Sequence, residues 1–412
     1  MRALHRFQVM SPEPSSRDAM RVLHLIHSEG IYGAESILLY LAREQQQGGH
    51  ESFVGSIRDP GTGETPFEAL ARLRGLQVVP IRVAPRPTPG VIVSLLRTVR
   101  AVAPDVIHSH GYKPNILLGP LPRRLRGPML TTLHGWTAPR VLSALWLYEQ
   151  LDRLSLRNID AVVVVARCML QLPVLRHIPP TRRRVIENGI PPLAQRLADL
   201  AAAGAASLPP ELIEFLARRP TLVAIGRLSP EKGFVSLLEA FAQARSRGAA
   251  EWQLLIVGEG SERARLAQRI VALGLAGTAR LAGYVDGADR LLEHACGFVM
   301  SSLTEGLPLV LLEAMQWHVP ILATAVGAVP NILADGRHGL LIPPNDVGAL
   351  AAGLLRLCAA GPHRVDDPRD TQEATAQPHS SARMAERYLD VYRVICETNR
   401  VVNRRATRGT PV

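Results

Sequence analysis

Past Met20, short apolar runs alternate with longer stretches in which apolar residues return every three or four positions. The first kind of segment reads as strand, the second as amphipathic helix. Strands are thus predicted over 21–27, 51–57, 77–83, 105–108, 130–133 and 161–166, with helices over 37–47, 67–76 and 91–102. The run 161–166 is apolar at every position, the pattern of a strand covered on both faces of a parallel sheet. Strands alternating with helices predict a doubly wound α/β sheet.

Between Pro191 and Pro210 the pattern breaks, with paired prolines at each end and an alanine-rich middle. Beyond it the alternation restarts, with strands over 221–226, 252–258, 279–282, 297–301, 320–324 and 339–342 and helices over 234–246 and 262–273. The chain therefore divides into a disordered lead-in (1–19), a first α/β domain (20–190), a linker (191–217) and a second α/β domain (218–362). A polar insert (363–378), a helix (379–399) and a loose tail (400–412) follow. The lead-in has no apolar run of the secretory kind. No stretch approaches the roughly 18–20 apolar residues that cross a bilayer, so the expected location is cytoplasmic.

Charge adds an asymmetry. Residues 1–205 carry 25 Arg or Lys against 15 Asp or Glu, and residues 206–412 carry 22 against 21. A basic first half suits an anionic partner. Zinc-finger spacing, an RNP motif and an aromatic-rich basic face are all absent from the sequence, which argues against nucleic acid. An anionic membrane or a lipid-phosphate acceptor fits instead. The segment 140–157 sets Leu142, Leu145, Trp146, Leu147, Leu151 and Leu154 beside several arginines, as in a helix resting at a membrane interface. The four cysteines, Cys168, Cys296, Cys358 and Cys396, match no metal spacing and are expected to be reduced thiols.

Ligands of α/β sheets sit beyond the carboxyl ends of the strands, so the strand-to-helix turns hold the candidate chemistry. The first turn, Ser28–Glu35, contains Gly30 and Gly33 but is not a clean GxGxxG, which disfavours a nicotinamide cofactor. The second domain opens with a strand ending at Gly226, followed by Arg227 and Lys232. These are two cations placed where a diphosphate leaving group gains charge. Only two lysines occur in the chain, Lys113 and Lys232, beside 45 arginines. Another strand ends at Gly258. The segment 302–314 sets Glu305 before an apolar helix, Glu313 inside it, and Gly306, Leu307 and Pro308 between. A carboxylate on a buried helix is costly unless paired, and sugar hydroxyls would satisfy Glu313. The free N–H groups near Leu309 and Val310 suit a diphosphate.

The Glu-x7-Glu pair Glu305/Glu313, with Gly306-Leu307-Pro308 between, resembles the signature of the family 4 retaining glycosyltransferases. So do the segments 226–233, Glu187-Asn188-Gly189-Ile190, Val257-Gly258-Glu259-Gly260, Gly33-Ala34-Glu35, His108-Ser109-His110-Gly111 and Leu133-His134-Gly135-Trp136, in the same order. Arg167 and Cys168 depart from the family's usual Ser-Glu. The resemblance implies a GT-B architecture, two Rossmann-like domains facing across a cleft, with the donor nucleotide on the second domain and the acceptor on the first. It implies that Arg227 and Lys232 bind the diphosphate, Glu313 the ribose hydroxyls and Glu305 the transferred sugar. His134 would stand beside the reacting sugar, and Gly33 would approach the phosphates. His110 and Lys113 are expected on the acceptor side. It further implies transfer of a hexosyl unit with retention, to a glycan or polyprenyl-linked acceptor. With no Asp-x-Asp motif in the sequence, neither metal nor other cofactor is expected, the nucleotide sugar being a co-substrate. A sugar-nucleotide epimerase would lack the use for both glutamates, and a non-catalytic binding component would have no reason to keep them with Arg227, Lys232 and His134.

Overall fold

The computed structural model describes residues 19–28, 30–59, 61–83, 89–135, 144–202, 204, 207–361 and 378–408. Two parallel sheets form the frame. The first holds β1 (Arg21–His27), β2 (Glu51–Arg58), β3 (Gln77–Arg82), β4 (Val106–His110), β5 (Met129–Leu133), β6 (Ala161–Val164) and β7 (Arg183–Val185), in the order 3-2-1-4-5-6-7. The second holds β8 (Thr221–Ile225), β9 (Gln253–Val257), β10 (Ala279–Gly283), β11 (Gly297–Met300), β12 (Ile321–Thr324) and β13 (Leu340–Ile342), in the order 10-9-8-11-12-13. Both are doubly wound, and in each the order reverses beside the first strand, which opens a crevice at the carboxyl ends. The central strands β1, β4, β5 and β6 are buried almost throughout, as sheets covered on both faces require.

Several expectations shift. β4 runs on to His110 rather than ending at His108, so both histidines are strand residues. β7 was not anticipated; its Arg-Arg-Val sequence is half-buried at the sheet edge and carries no apolar run. The stretch read as linker contains the helices Leu193–Ala202 and Pro210–Arg218. The C-terminal helix Ser381–Arg408 continues past residue 399 into the stretch expected to be a loose tail. The lead-in apart from Ala19, the insert apart from Pro378, and residues 136–143 lie outside the described residues. Among the described residues no helix is long and apolar enough to cross a membrane.

The chain crosses between the domains at Ile190. The Ile190 N–H donates to the His379 carbonyl at 2.9 Å, and the Ser381 N–H donates back to the Ile190 carbonyl at 3.2 Å. A Cβ on Gly189 would stand 2.2 Å from the Ser380 carbonyl oxygen, so this crossing needs glycine. From there the C-terminal helix returns to the first domain and buries Tyr388 and Tyr392 completely, Tyr392 against Gln45 of the helix Gly33–Gln47 and His108 of β4.

Candidate active site

A cleft of about 870 Å³ lies between the two sheets. Its second-domain wall is built from the turns after β8, β9 and β11. Gly226, Arg227 and Lys232 come from the first of these, Gly258 and Glu259 from the second, and Glu305 through Val310 with Glu313 from the third. The facing wall includes Tyr32, Gly33, Glu35 and His134. A Cβ on Gly33 would meet nothing within 4 Å, so its backbone fronts open cleft. Gly306 is confined instead: a Cβ there would come 2.9 Å from the His134 carbonyl, so its lack of a side chain lets the second-domain loop reach the first domain.

Lys232 ends a short 3-10 turn, Pro230–Lys232. Its Nζ lies 2.6 Å from Glu305 Oε1, which also accepts from Ser302 Oγ at 2.7 Å. The Lys232 carbonyl accepts from Ser301 Oγ at 2.9 Å, tying the turn to the end of β11. The helix Leu309–Gln316 starts directly after Pro308, which caps it without a side-chain hydrogen bond. Its first N–H groups therefore face the cleft unsatisfied by the cap, a ready site for phosphate oxygens. The Arg227 guanidinium stands 5.1 Å over the Tyr32 ring from the opposite domain. Tyr32 precedes the helix Gly33–Gln47, and its N–H donates to Glu35 Oε2 at 3.1 Å. Burial raises the Glu35 carboxyl above its ordinary value.

Glu313 occupies a crowded ionic pocket. Arg196 Nη1 lies 2.5 Å from Asp289 Oδ2 and 4.0 Å from Glu313 Oε1. The same guanidinium donates to Gln316 Oε1 at 2.9 and 3.2 Å, and Trp317 Nε1 donates to Asp289 at 3.2 Å. Burial, and then the Asp289 charge, push Glu313 up to about 7 against the pull of Arg196. The Tyr40 hydroxyl, raised to about 12 by burial and by Glu313, closes the pocket from the first domain. Arg196, Asp289 and Tyr40 escaped the sequence reading. Arg196 lies in the stretch read as linker, and only its amphipathic helical setting, buried at that one arginine, would have flagged it.

The histidines form a buried stack. His24 on β1 pairs in register with His108 on β4, and His110 with Thr132 on β5. His134 follows β5 directly and lines the cleft. Its Nε2 lies 3.1 Å from His110 Nδ1, and His110 Nε2 lies 3.1 Å from His24 Nδ1. Burial lowers His24 and His134 to about 4, and His108 and His110 well below their ordinary value. All four are neutral at pH 7. His110, expected on the acceptor side, is 4% exposed and sits behind His134 instead of at the cleft surface. Lys113 lies outside the cleft lining, 3.5 Å from Asp59. The other candidate residues, Arg227, Lys232, Glu305, Glu313, His134 and the glycines 33, 226, 258 and 306, all converge on the one cleft.

Two family models match the two halves of the chain. "Glycosyltransferase Family 4" covers residues 31–192, and "Glycosyl transferases group 1" covers residues 219–360. The α-maltose-1-phosphate synthase of Mycolicibacterium smegmatis is 28% identical over 81% of this chain and 95% of its own length. The 2-deoxystreptamine N-acetyl-D-glucosaminyltransferase of Streptomyces fradiae is 28% identical over 79% of this chain and 82% of its own. Among solved structures, HepE of Anabaena, crystallised with UDP and glucose, matches with a TM-score of 0.71 at 18% identity, over 90% of this chain and 99% of that one. The two-sheet GT-B fold, the motifs in their order and both family models together place this chain in the family 4 glycosyltransferases.

Proposed function

We propose that the protein transfers a hexosyl unit from a nucleoside diphosphate sugar, with retention at the anomeric carbon, to a glycan or polyprenyl-linked acceptor in bacterial polysaccharide synthesis. The observation that carries this is the convergence of Arg227, Lys232 and the open N-terminus of the helix Leu309–Gln316 on one cleft beside Glu305 and Glu313. Cations and N–H dipoles stabilise a departing diphosphate. Glu313 accepts the ribose hydroxyls, and Glu305 holds the transferred sugar. Lys232 exchanges its bond to Glu305 for the phosphates as the donor enters. The leaving diphosphate takes the proton of the incoming acceptor hydroxyl on the same face of the sugar. The protein's share is then positioning and charge stabilisation. Arg227 and Lys232 supply the positive charge that an Asp-x-Asp-bound metal would otherwise bring, so no cofactor is required.

The relatives' names support a nucleotide-sugar donor, since HepE was solved with UDP and glucose and the Streptomyces relative is an N-acetyl-D-glucosaminyltransferase. Acceptor delivery at an anionic membrane is supported by the basic first half. It is also supported by Leu147 and Leu154, seven residues apart on the helix Ala144–Leu156, which are 55% and 57% exposed. Purified protein offered UDP-glucose, UDP-N-acetylglucosamine, UDP-galactose and GDP-mannose, with and without membrane lipid extract, tests the reading. Nucleoside diphosphate release from one donor, raised by lipid and unchanged by EDTA, is expected. No release with any donor would remove it.

A further inference from the structure

Behind His134 the buried polar groups form one continuous hydrogen-bonded chain. His134 Nε2 meets His110 Nδ1, His110 Nε2 meets His24 Nδ1, and His24 Nε2 meets Gln45 Oε1 at 2.8 Å. Gln45 Oε1 also accepts from Ser52 Oγ at 2.7 Å, and Gln45 Nε2 donates to the Tyr392 hydroxyl at 3.4 Å. The Tyr392 hydroxyl in turn lies 2.6 Å from His108 Nδ1, and His108 Nε2 lies 2.8 Å from Thr132 Oγ1. His24, His108, His110, Gln45 and Tyr392 are each at most 4% exposed.

A neutral imidazole has one N–H and one lone pair, so each ring passes its polarity to the next. A carboxamide oxygen only accepts. His24 must therefore carry its proton on Nε2 and offer Nδ1. His110 must then donate from Nε2 and offer Nδ1, and His134 must donate from Nε2. The opposite polarity needs the Gln45 carboxamide turned over. Tyr392 would then donate across the 3.4 Å contact and accept across the 2.6 Å one, giving the longer bond to the better donor.

We propose that Gln45 and His24 are positioning residues that hold His134 as its Nε2–H tautomer, leaving the Nδ1 lone pair for a hydroxyl bound in the cleft. The identity of that hydroxyl, on donor sugar or acceptor, rests on the proposed function; the tautomer does not. The C-terminal helix takes part, because Tyr392 orients the amide that sets the direction of the chain. His24, His108 and His110 also offer nitrogens within 4.8 Å of one another, close enough for a metal ion. Both nitrogens of His24, His108 and His110 already have hydrogen-bond partners, and the described residues within that spacing include no carboxylate.

Nitrogen-15 NMR of the histidine-labelled, ligand-free protein between pH 6.5 and 8 tests this without any donor. The His134 resonances are assigned by difference from His134→Ala. The expected spectrum has the proton on Nε2 and a bare Nδ1. A bare Nε2, an imidazolium, or an even mixture of tautomers overturns the proposal, as does stoichiometric zinc in the purified protein. Gln45→Leu is expected to mix the tautomers and lower kcat about tenfold, the worth of one well-placed hydrogen bond, with donor KM within about twofold. Gln45→Glu keeps an acceptor in place and is expected to restore the Nε2–H tautomer. A Gln45→Leu protein that folds and keeps the wild-type tautomer overturns the assignment to Gln45. If that variant does not fold, the wild-type spectrum alone decides the tautomer.

Discussion

Lys232 Nζ lies 2.6 Å from Glu305 Oε1, a contact that joins the turn after β8 to the loop after β11. The pair is only 22% and 11% exposed at its side chains, so each charge holds the other in place while the cleft is empty. Lys232→Ala is expected to lower kcat by about 10²–10³, the cost of removing one preorganised charge-stabilising group. Lys232→Arg is not expected to restore it, because a rigid fork does not take the place of a compact ammonium. Nucleoside diphosphate release in both variants checks this.

Arg227 over Tyr32 is a contact from one wall of the cleft to the other. A cation on a partly exposed ring contributes roughly 0.5–1 kcal/mol. Tyr32→Ala is therefore expected to raise donor KM by roughly two- to five-fold and leave the melting temperature nearly unchanged. Steady-state kinetics with Tyr32→Phe as the control, expected to behave as wild type, measures it.

With Glu313 in its proposed role of accepting the ribose hydroxyls, its raised carboxyl is expected to make donor binding pH-dependent. Its proton is released near pH 7 in the folded, empty protein and near the ordinary 4.5 when unfolded. Between those values the folded state holds more protons, so this group's contribution to stability falls as pH rises through that window. Binding of ribose hydroxyls favours the ionised form, so donor affinity is expected to rise from pH 5.5 to 7.5. Calorimetric titration of an intact nucleotide sugar, whose diphosphate carries no group that titrates in that range, repeated with Glu313→Gln, should find the slope only in the wild type.

The histidine stack has the opposite sign. Unfolded histidines bind protons below about 6.5, whereas folded His24 and His134 do so only near 4. Stability is therefore expected to fall as pH drops from 6.5 towards 4. Thermal melts are expected to show a steeper acid loss in the wild type than in His24→Phe.

Arg196 and Asp289 form a buried ion pair whose side chains are 4% and 9% exposed. Arg196→Leu is expected to destabilise by about 3–5 kcal/mol, because it strands the Asp289 charge beside Glu313. Urea denaturation checks this, with Arg196→Leu/Asp289→Asn expected to recover part of the loss.

The chain order of strands and helices was legible because parallel strands write themselves as short apolar runs, as at Val162, Val163 and Val164. β7 was not, since Arg183 and Arg184 give it no apolar run; backbone pairing to β6 and guanidinium bonds to the Ile178 and Thr181 carbonyls hold this edge. The cleft residues on the second domain were legible because they sit in short turns directly after strands. Gln45, Arg196 and Tyr392 were not. Each reaches the site area from a helix whose local sequence has no chemical signature, and their partners lie 7 to 347 residues away. His110 shows the same limit from the other side. Its motif marked it as chemical, but only the strand register places it behind His134.

The central claim, that the second-domain wall of the cleft is the donor site, is tested most directly by calorimetric binding of UDP and GDP to the ligand-free protein and to Lys232→Ala and Glu313→Ala. The account predicts that one nucleotide binds at a single site and that both variants weaken it at least tenfold. Binding of equal strength in all three proteins, or of neither nucleotide to the wild type, would contradict it.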